Sequence, residues 1–252
     1  MNSYLKNLEK IEFVITNSCT GKCKHCSEGN HLSNGISIDV EAAVNALKAV
    51  TEIYKIKTVM TFGGEPLLHP ETVAAIHCVA RDRGVEKRQV ITNGFFSKDS
   101  NCIHKVARML FAAGVNDLLL SVDCFHQEFI PSDTVKLFAE EALSVGLPIR
   151  TQPAWLVSKE DDNPFNLKTK EILSEFKKIG IEENKGNVIF PQGNALVYFK
   201  EYFADNIPEN PYIEDPENIR CISFDPQGNV LDESIYKKDI KEILNNYKPK
   251  LR

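Results

Sequence analysis

Apolar positions along most of the chain fall into short blocks that alternate between strand-like and helix-like spacing. Residues 11–16 form a compact apolar run that predicts a strand. Val40, Ala43, Val44, Leu47 and Val50 then recur at the spacing of one buried helix face. The run 59–62 predicts a second strand and ends at Gly63-Gly64-Glu65-Pro66. A helix opens at Pro70, where no N–H is needed, and stops at Gly84. Residues 89–92 predict a third strand with Asn93-Gly94 as its turn. Ile103, Val106, Ala107, Leu110 and Phe111 mark the next helix, which Gly114 ends. A continuous apolar stretch, 117–122, runs into Asp123 as a fourth strand. Ser132 is placed to cap a helix burying Val135, Phe138, Ala142 and Val145. Residues 148–153 predict a fifth strand, 169–179 a helix, and 186–190 a sixth strand.

Strand–helix alternation at this spacing predicts an α/β fold with a parallel sheet and helical crossovers. The unusual residues cluster by position. The loop after residue 16, the Gly63–Pro66 turn, Asn93-Gly94 and 123–126 each follow a strand, which is the functional rim of such folds. The pattern alone leaves an open sheet and a partial barrel both standing. Beyond residue 204 the rhythm changes, with a Pro-, Asn- and acid-rich stretch over 206–216 and a terminal helix over 238–246. The division expected is 1–204 for the main body and 205–252 for a linker and small extension.

The 252 residues suffice for one large domain, and 42% hydrophobic content supports a full core. A net charge of −5 gives no general attraction to nucleic acid or anionic membrane. Seven cysteines make an odd number without framework spacing, and no apolar run is long enough to span a bilayer. A reducing, cytoplasmic setting is the expectation.

Three of those cysteines decide the chemistry. Cys19-Thr20-Gly21-Lys22-Cys23-Lys24-His25-Cys26 places three thiols within eight residues of a polar loop, where packing does not require them. Thiolates suit zinc, copper or iron–sulfur iron. A structural zinc site would need a fourth ligand, His25 or His31. Three cysteines on a four-iron cluster would instead leave one iron open.

The C-x3-C-x2-C spacing directly after a first strand resembles the signature of the radical S-adenosylmethionine (radical SAM) superfamily. The resemblance implies that Cys19, Cys23 and Cys26 hold one [4Fe-4S] cluster whose fourth iron is chelated by SAM. It also implies a (β/α)6 partial TIM barrel. The position before the last cysteine, commonly aromatic in the superfamily, is His25 here. Gly63-Gly64-Glu65-Pro66 is similar to the superfamily's G-G-E-P motif, which contacts the SAM amino group. Adjacent glycines allow close backbone approach, and Glu65 would complement an ammonium. Thr92-Asn93-Gly94 resembles a third-strand segment that lies beside SAM. Alternation places Ser121 and Asp123 on one face, where related enzymes hold the ribose or the methionine carboxylate. His126 is a candidate proton donor or acceptor, or orients Asp123. Arg150, within an apolar strand, requires a counter-charge if it points inward, which the SAM carboxylate would supply; the alternatives are a pair with Asp123 or a surface position. Gln192-Gly193-Asn194 is placed to close over the methionine end of SAM.

The activity so implied is reductive cleavage of SAM to a 5′-deoxyadenosyl radical that removes a hydrogen atom from a substrate. The expected electron source is an external one-electron reductant such as flavodoxin or ferredoxin. Residues 221–230 resemble the opening of the SPASM or twitch extensions of peptide-modifying members, but no cysteine follows Cys221 to hold an auxiliary cluster. This tilts the substrate toward a ribosomally made peptide. A small molecule (sugar, nucleoside or amino acid) is the alternative, and a zinc-stabilised, non-catalytic α/β binding module is the reading of a different class.

Overall fold

The computed structural model describes residues 2–31, 35–203 and 207–250. The chain runs β1 (Lys10–Val14), α1 (Val40–Ile53), β2 (Thr58–Phe62), α2 (Pro70–Asp82), β3 (Lys87–Thr92), α3 (Ser100–Ala112) and β4 (Asp117–Leu120). It continues through α4 (Cys124–Gln127), α5 (Ser132–Ser144), β5 (Ile149–Thr151), β6 (Ala154–Trp155), α6 (Pro164–Lys178), β7 (Glu182–Glu183) and β8 (Asn187–Val188). The last part holds α7 (Asn194–Tyr198), β9 (Cys221–Phe224), the hairpin β10 (Asn229–Val230) and β11 (Glu233–Ser234), and α8 (Ile240–Asn246).

Seven strands form one parallel sheet in the order β7-β5-β4-β3-β2-β1-β9. It is the partial TIM barrel of an α/β fold. Within each strand one set of side chains meets the helices: Thr61 on β2 reaches His77 of α2 at 3.0 Å. The alternate set therefore faces the lumen. Register carries this assignment across the sheet through Met60, Gln89, Asp117, Leu119 and Arg150.

Local sequence explains the helices. Asp39 caps α1 by accepting from the Ala42 N–H, and Pro70 is the first residue of α2. Helix α6 starts earlier than periodicity suggests, at Pro164, because the Asn163 side chain caps it at the Asn166 N–H. Ser132 is the first helical residue of α5; the cap is Pro131, which makes no side-chain hydrogen bond. The sixth barrel strand is not 186–190 but β7, while β8 pairs with β6 in a separate ladder. Both residues of β7 are exposed glutamates at the sheet edge, so no apolar run announces that strand.

The segment expected as an extension contributes to the barrel sheet. Strand β9 pairs in parallel with β1, and Phe224 stacks on Phe13 at 4.9 Å between centroids. The boundary expected at 204/205 lies outside the described residues. Among the described residues no helix is long and apolar enough to cross a membrane.

Candidate active site at the strand ends

The loop after β1 carries the three thiols, and the next turn holds that loop in place. Gly64 N–H donates to Thr16 O (2.9 Å), and Glu65 N–H donates to Ser18 O (2.8 Å). The bare Cα atoms of the glycines face the cysteine loop. A Cβ on Gly63 would stand 2.8 Å from Thr16 O, and one on Gly64 only 2.0 Å from Ser18 O. The two glycines thus serve close approach to the cysteine loop itself. Pro66 is buried and opens a short 3-10 turn, Pro66–Leu68.

Glu65 departs from expectation. Its carboxylate is fully buried instead of presented to a ligand. One oxygen accepts from Thr92 Oγ1 (2.6 Å) and the Leu67 N–H (2.9 Å), the other from the Asn93 N–H (2.8 Å). Burial pushes its pKa up to about 7, against the opposing pull of these donors. Thr92 is spent as well, since its hydroxyl also accepts from the Gly94 N–H (3.0 Å). The side chains of Glu65 and Thr92 therefore form a clasp between the second and third strand ends, leaving only backbone groups to meet a cofactor.

Glu65→Ala strands three donors in the interior and is expected to destabilise the protein by about 2–4 kcal/mol. The pH dependence has a defined sign. A buried carboxyl with a raised pKa contributes stability below its unfolded value near 4.5, and that stability is lost as pH rises through about 7. Chemical denaturation between these limits should show the slope in the native protein and a flatter profile in Glu65→Ala.

Asp123 and His126 do meet at the end of β4. Asp123 is fully buried and caps α4, accepting from the Phe125 N–H (3.0 Å) and the His126 N–H (2.9 Å). Its other oxygen accepts from the Ala154 N–H (3.0 Å), and His126 Nδ1 lies 2.9 Å from both oxygens. Burial raises the carboxyl, but the His126 ring and N–H donors outweigh it and hold the pKa at about 2. Both of its oxygens thus carry protein donors. The order of the pair is the reverse of one expectation: Asp123 orients His126. Nδ1 faces the ionised Asp123 and donates to it, which turns Nε2 away from the carboxylate. Beside it, the His25 ring packs edge-on to His126 at 4.7 Å and against Phe125 at 5.0 Å. Ser121 lies on the lumen side of the strand end, its N–H donating to Thr92 O (2.8 Å).

Arg150 faces the lumen, held by an acid at the start of β4 and by Asn184 just past β7. Its Nη2 lies 2.6 Å from Asp117 Oδ1, and Nη1 donates to Asn184 Oδ1 (3.2 Å). Asp117, the first residue of β4, is the acid that neutralises it. The 192–194 segment likewise binds protein. Asn194 N–H donates to Cys26 O (2.9 Å), and its side-chain amide donates to Cys23 O (3.1 Å). This clamp on the cysteine loop was hidden in sequence because Asn194 and Cys23 are 171 positions apart.

The thiol set fits an iron–sulfur cluster. A Cβ on Gly21 would sit 3.2 Å from Cys23 Sγ and 3.7 Å from Cys19 Sγ, so both thiols converge on one small space. Burial pushes the Cys19 thiol up to about 11 and raises Cys23 and Cys26 as well. Such thiols stay protonated until a metal displaces the protons.

The Radical SAM superfamily model matches residues 13–145. More than half of the chain is covered, and the protein belongs to the radical SAM superfamily. It is an enzyme of that group, whose members bind a [4Fe-4S] cluster and SAM. Among curated relatives, a GTP 3',8-cyclase from Limosilactobacillus fermentum is 26% identical over 92% of this chain and 59% of its own length. A second GTP 3',8-cyclase, from Tolumonas auensis, is 25% identical over 48% of this chain and 35% of its own length. The chain thus spans well under two thirds of these relatives. Among solved structures, Streptococcus suis SuiB bound to S-adenosylmethionine superposes with a TM-score of 0.63 at 13% identity, covering 97% of this chain and 67% of SuiB.

Proposed function

We propose that this radical SAM enzyme acts on a peptide, with Cys19, Cys23 and Cys26 holding the cluster. The observation that carries the peptide reading is helix α7, whose Leu196, Val197 and Tyr198 are exposed beside the cysteine loop that Asn194 grips. An apolar strip at the rim suits the side chains of a peptide. A nucleoside triphosphate is the second reading, favoured by the names of the cyclase relatives. Against it stands the charge balance of the lumen. Among the described residues, Lys10 pairs with Glu12 (2.5 Å), Lys87 with Asp117 (3.3 Å) and Arg150 with Asp117 (2.6 Å), so these three cations on the lumen-facing positions each have a protein counter-charge. SuiB has also been solved bound to its precursor peptide SuiA, which supports the reading by analogy of fold alone.

A [4Fe-4S] cluster held by Cys19, Cys23 and Cys26, with SAM bound, would supply a 5′-deoxyadenosyl radical for hydrogen abstraction. The protein's part is orientation. Gly63 and Gly64 hold the cysteine loop, Asn194 clamps it from the opposite side, and the Glu65 clasp fixes the third strand end. Asp123 holds the His126 ring through Nδ1, so His126 is placed to exchange a proton with a substrate at this strand end. An external one-electron reductant such as flavodoxin or ferredoxin feeds the site. His126→Ala is expected to lower product formation by about a hundredfold while leaving substrate-independent 5′-deoxyadenosine formation intact.

The substrate class is tested with deuterated substrates under anaerobic conditions. Deuterium passing from a peptide into 5′-deoxyadenosine supports the reading. Transfer from GTP and from no peptide overturns it.

A further inference from the structure

Asn93 has a polar inventory that closes within the protein. Its backbone N–H donates to Glu65, and its side-chain oxygen accepts from the Phe95 N–H (2.8 Å). Its amide nitrogen has two protons and two acceptors: Thr20 Oγ1 at 3.1 Å and Cys19 Sγ at 3.6 Å. The Asn93 side chain is thus held against Phe95 and the cysteine loop, with Thr20 Oγ1 also 3.4 Å from its oxygen. The Gly21 N–H also points at Cys19 Sγ, at 3.3 Å. One thiol therefore receives both a backbone donor and a side-chain amide brought from the third strand end.

We propose that Asn93 tunes the reduction potential of the cluster through an N–H···S hydrogen bond to Cys19, and that the Glu65 clasp aims it. The inference rests on the reading of Cys19 as a cluster ligand. Donors aimed at a ligating sulfur withdraw electron density and favour the reduced state. Glu65 is suited to the aiming role because it fixes the Asn93 backbone and the Thr92 hydroxyl together. Asn93 is thus a positioning and tuning residue that acts through Cys19.

The test compares the reconstituted full-length protein with Asn93→Ala and Asn93→Asp. Iron and sulfide content, circular dichroism, SAM affinity and the EPR-monitored potential are measured for each. Asn93→Ala loses the donor and should titrate at a more negative potential, with a smaller reduced-cluster signal at any fixed applied potential. Asn93→Asp replaces the donor with an acceptor and should shift at least as far. SAM affinity should remain that of the native protein. Unchanged potentials in both cluster-loaded variants overturn the inference, and weakened SAM binding alongside them reassigns Asn93 to SAM contact. Native protein that takes up zinc and no iron removes the underlying reading of Cys19 instead.

Discussion

Gly64→Ala is expected to take up little iron and to lose SAM cleavage, although the substitution adds only a single methyl group. The new Cβ would meet Ser18 O at 2.0 Å, Ser18 C at 2.5 Å and Cys19 Cβ at 3.2 Å. The first two contacts are backbone, which cannot rotate away as a side chain would. The same place holds two ladder bonds, Gly64 N–H to Thr16 O and Glu65 N–H to Ser18 O. The loop must therefore move, and Cys19 moves with it. Overpacking of this kind costs about 3 kcal/mol or more when backbone must shift. Iron per chain after reconstitution should fall about tenfold, since ligand displacement of an ångström defeats a metal site. Circular dichroism and thermal unfolding of the apo-protein distinguish loss of the loop from loss of the fold. Native-like iron content in Gly64→Ala would show that the loop does not need this approach.

Cys23→Ala is expected to abolish cluster assembly while leaving the apo-protein about as stable as the native chain. Cys23 is buried, and as a thiol it behaves there as a small apolar group. Replacing it removes one sulfur from a tightly packed surrounding, a cost of about 1 kcal/mol or less. Its burial near Asp123, Cys19 and Cys26 keeps the thiol protonated when no metal is present. The functional loss and the structural loss should therefore separate cleanly. The expected readout is absence of the cluster's visible absorption together with at least a hundredfold fall in 5′-deoxyadenosine, as befits loss of one ligand of three. A variant that binds one zinc as tightly as the native chain would return the binding-module reading.

Much of the site's location was legible because strand ends are announced locally. An apolar run followed by Cys19, Gly63, Asn93 or Asp123 reads as a rim whatever the distant contacts. What the individual side chains do there was not legible. Glu65 reads as an exposed acid in a glycine turn, yet its partners Thr92 and Asn93 arrive from 27 and 28 positions away. Asp123 is satisfied in part by Ala154, 31 positions on. Arg150 was expected to meet the SAM carboxylate or Asp123, and only sheet register shows that Asp117 is within reach. The strand β7 was missed because its two exposed glutamates carry no apolar signal, and the pairing of β9 with β1 because its partner lies at the other end of the sequence, although Ile222 and Phe224 alternate as buried residues.

The most direct test of the whole account is SAM cleavage by the reconstituted protein under dithionite, followed by mass-resolved chromatography. The account predicts about four irons and four sulfides per chain, 5′-deoxyadenosine from the native protein, and none from the Cys19→Ala, Cys23→Ala, Cys26→Ala triple variant. A correctly loaded cluster that leaves SAM intact, or zinc in place of iron, would contradict it.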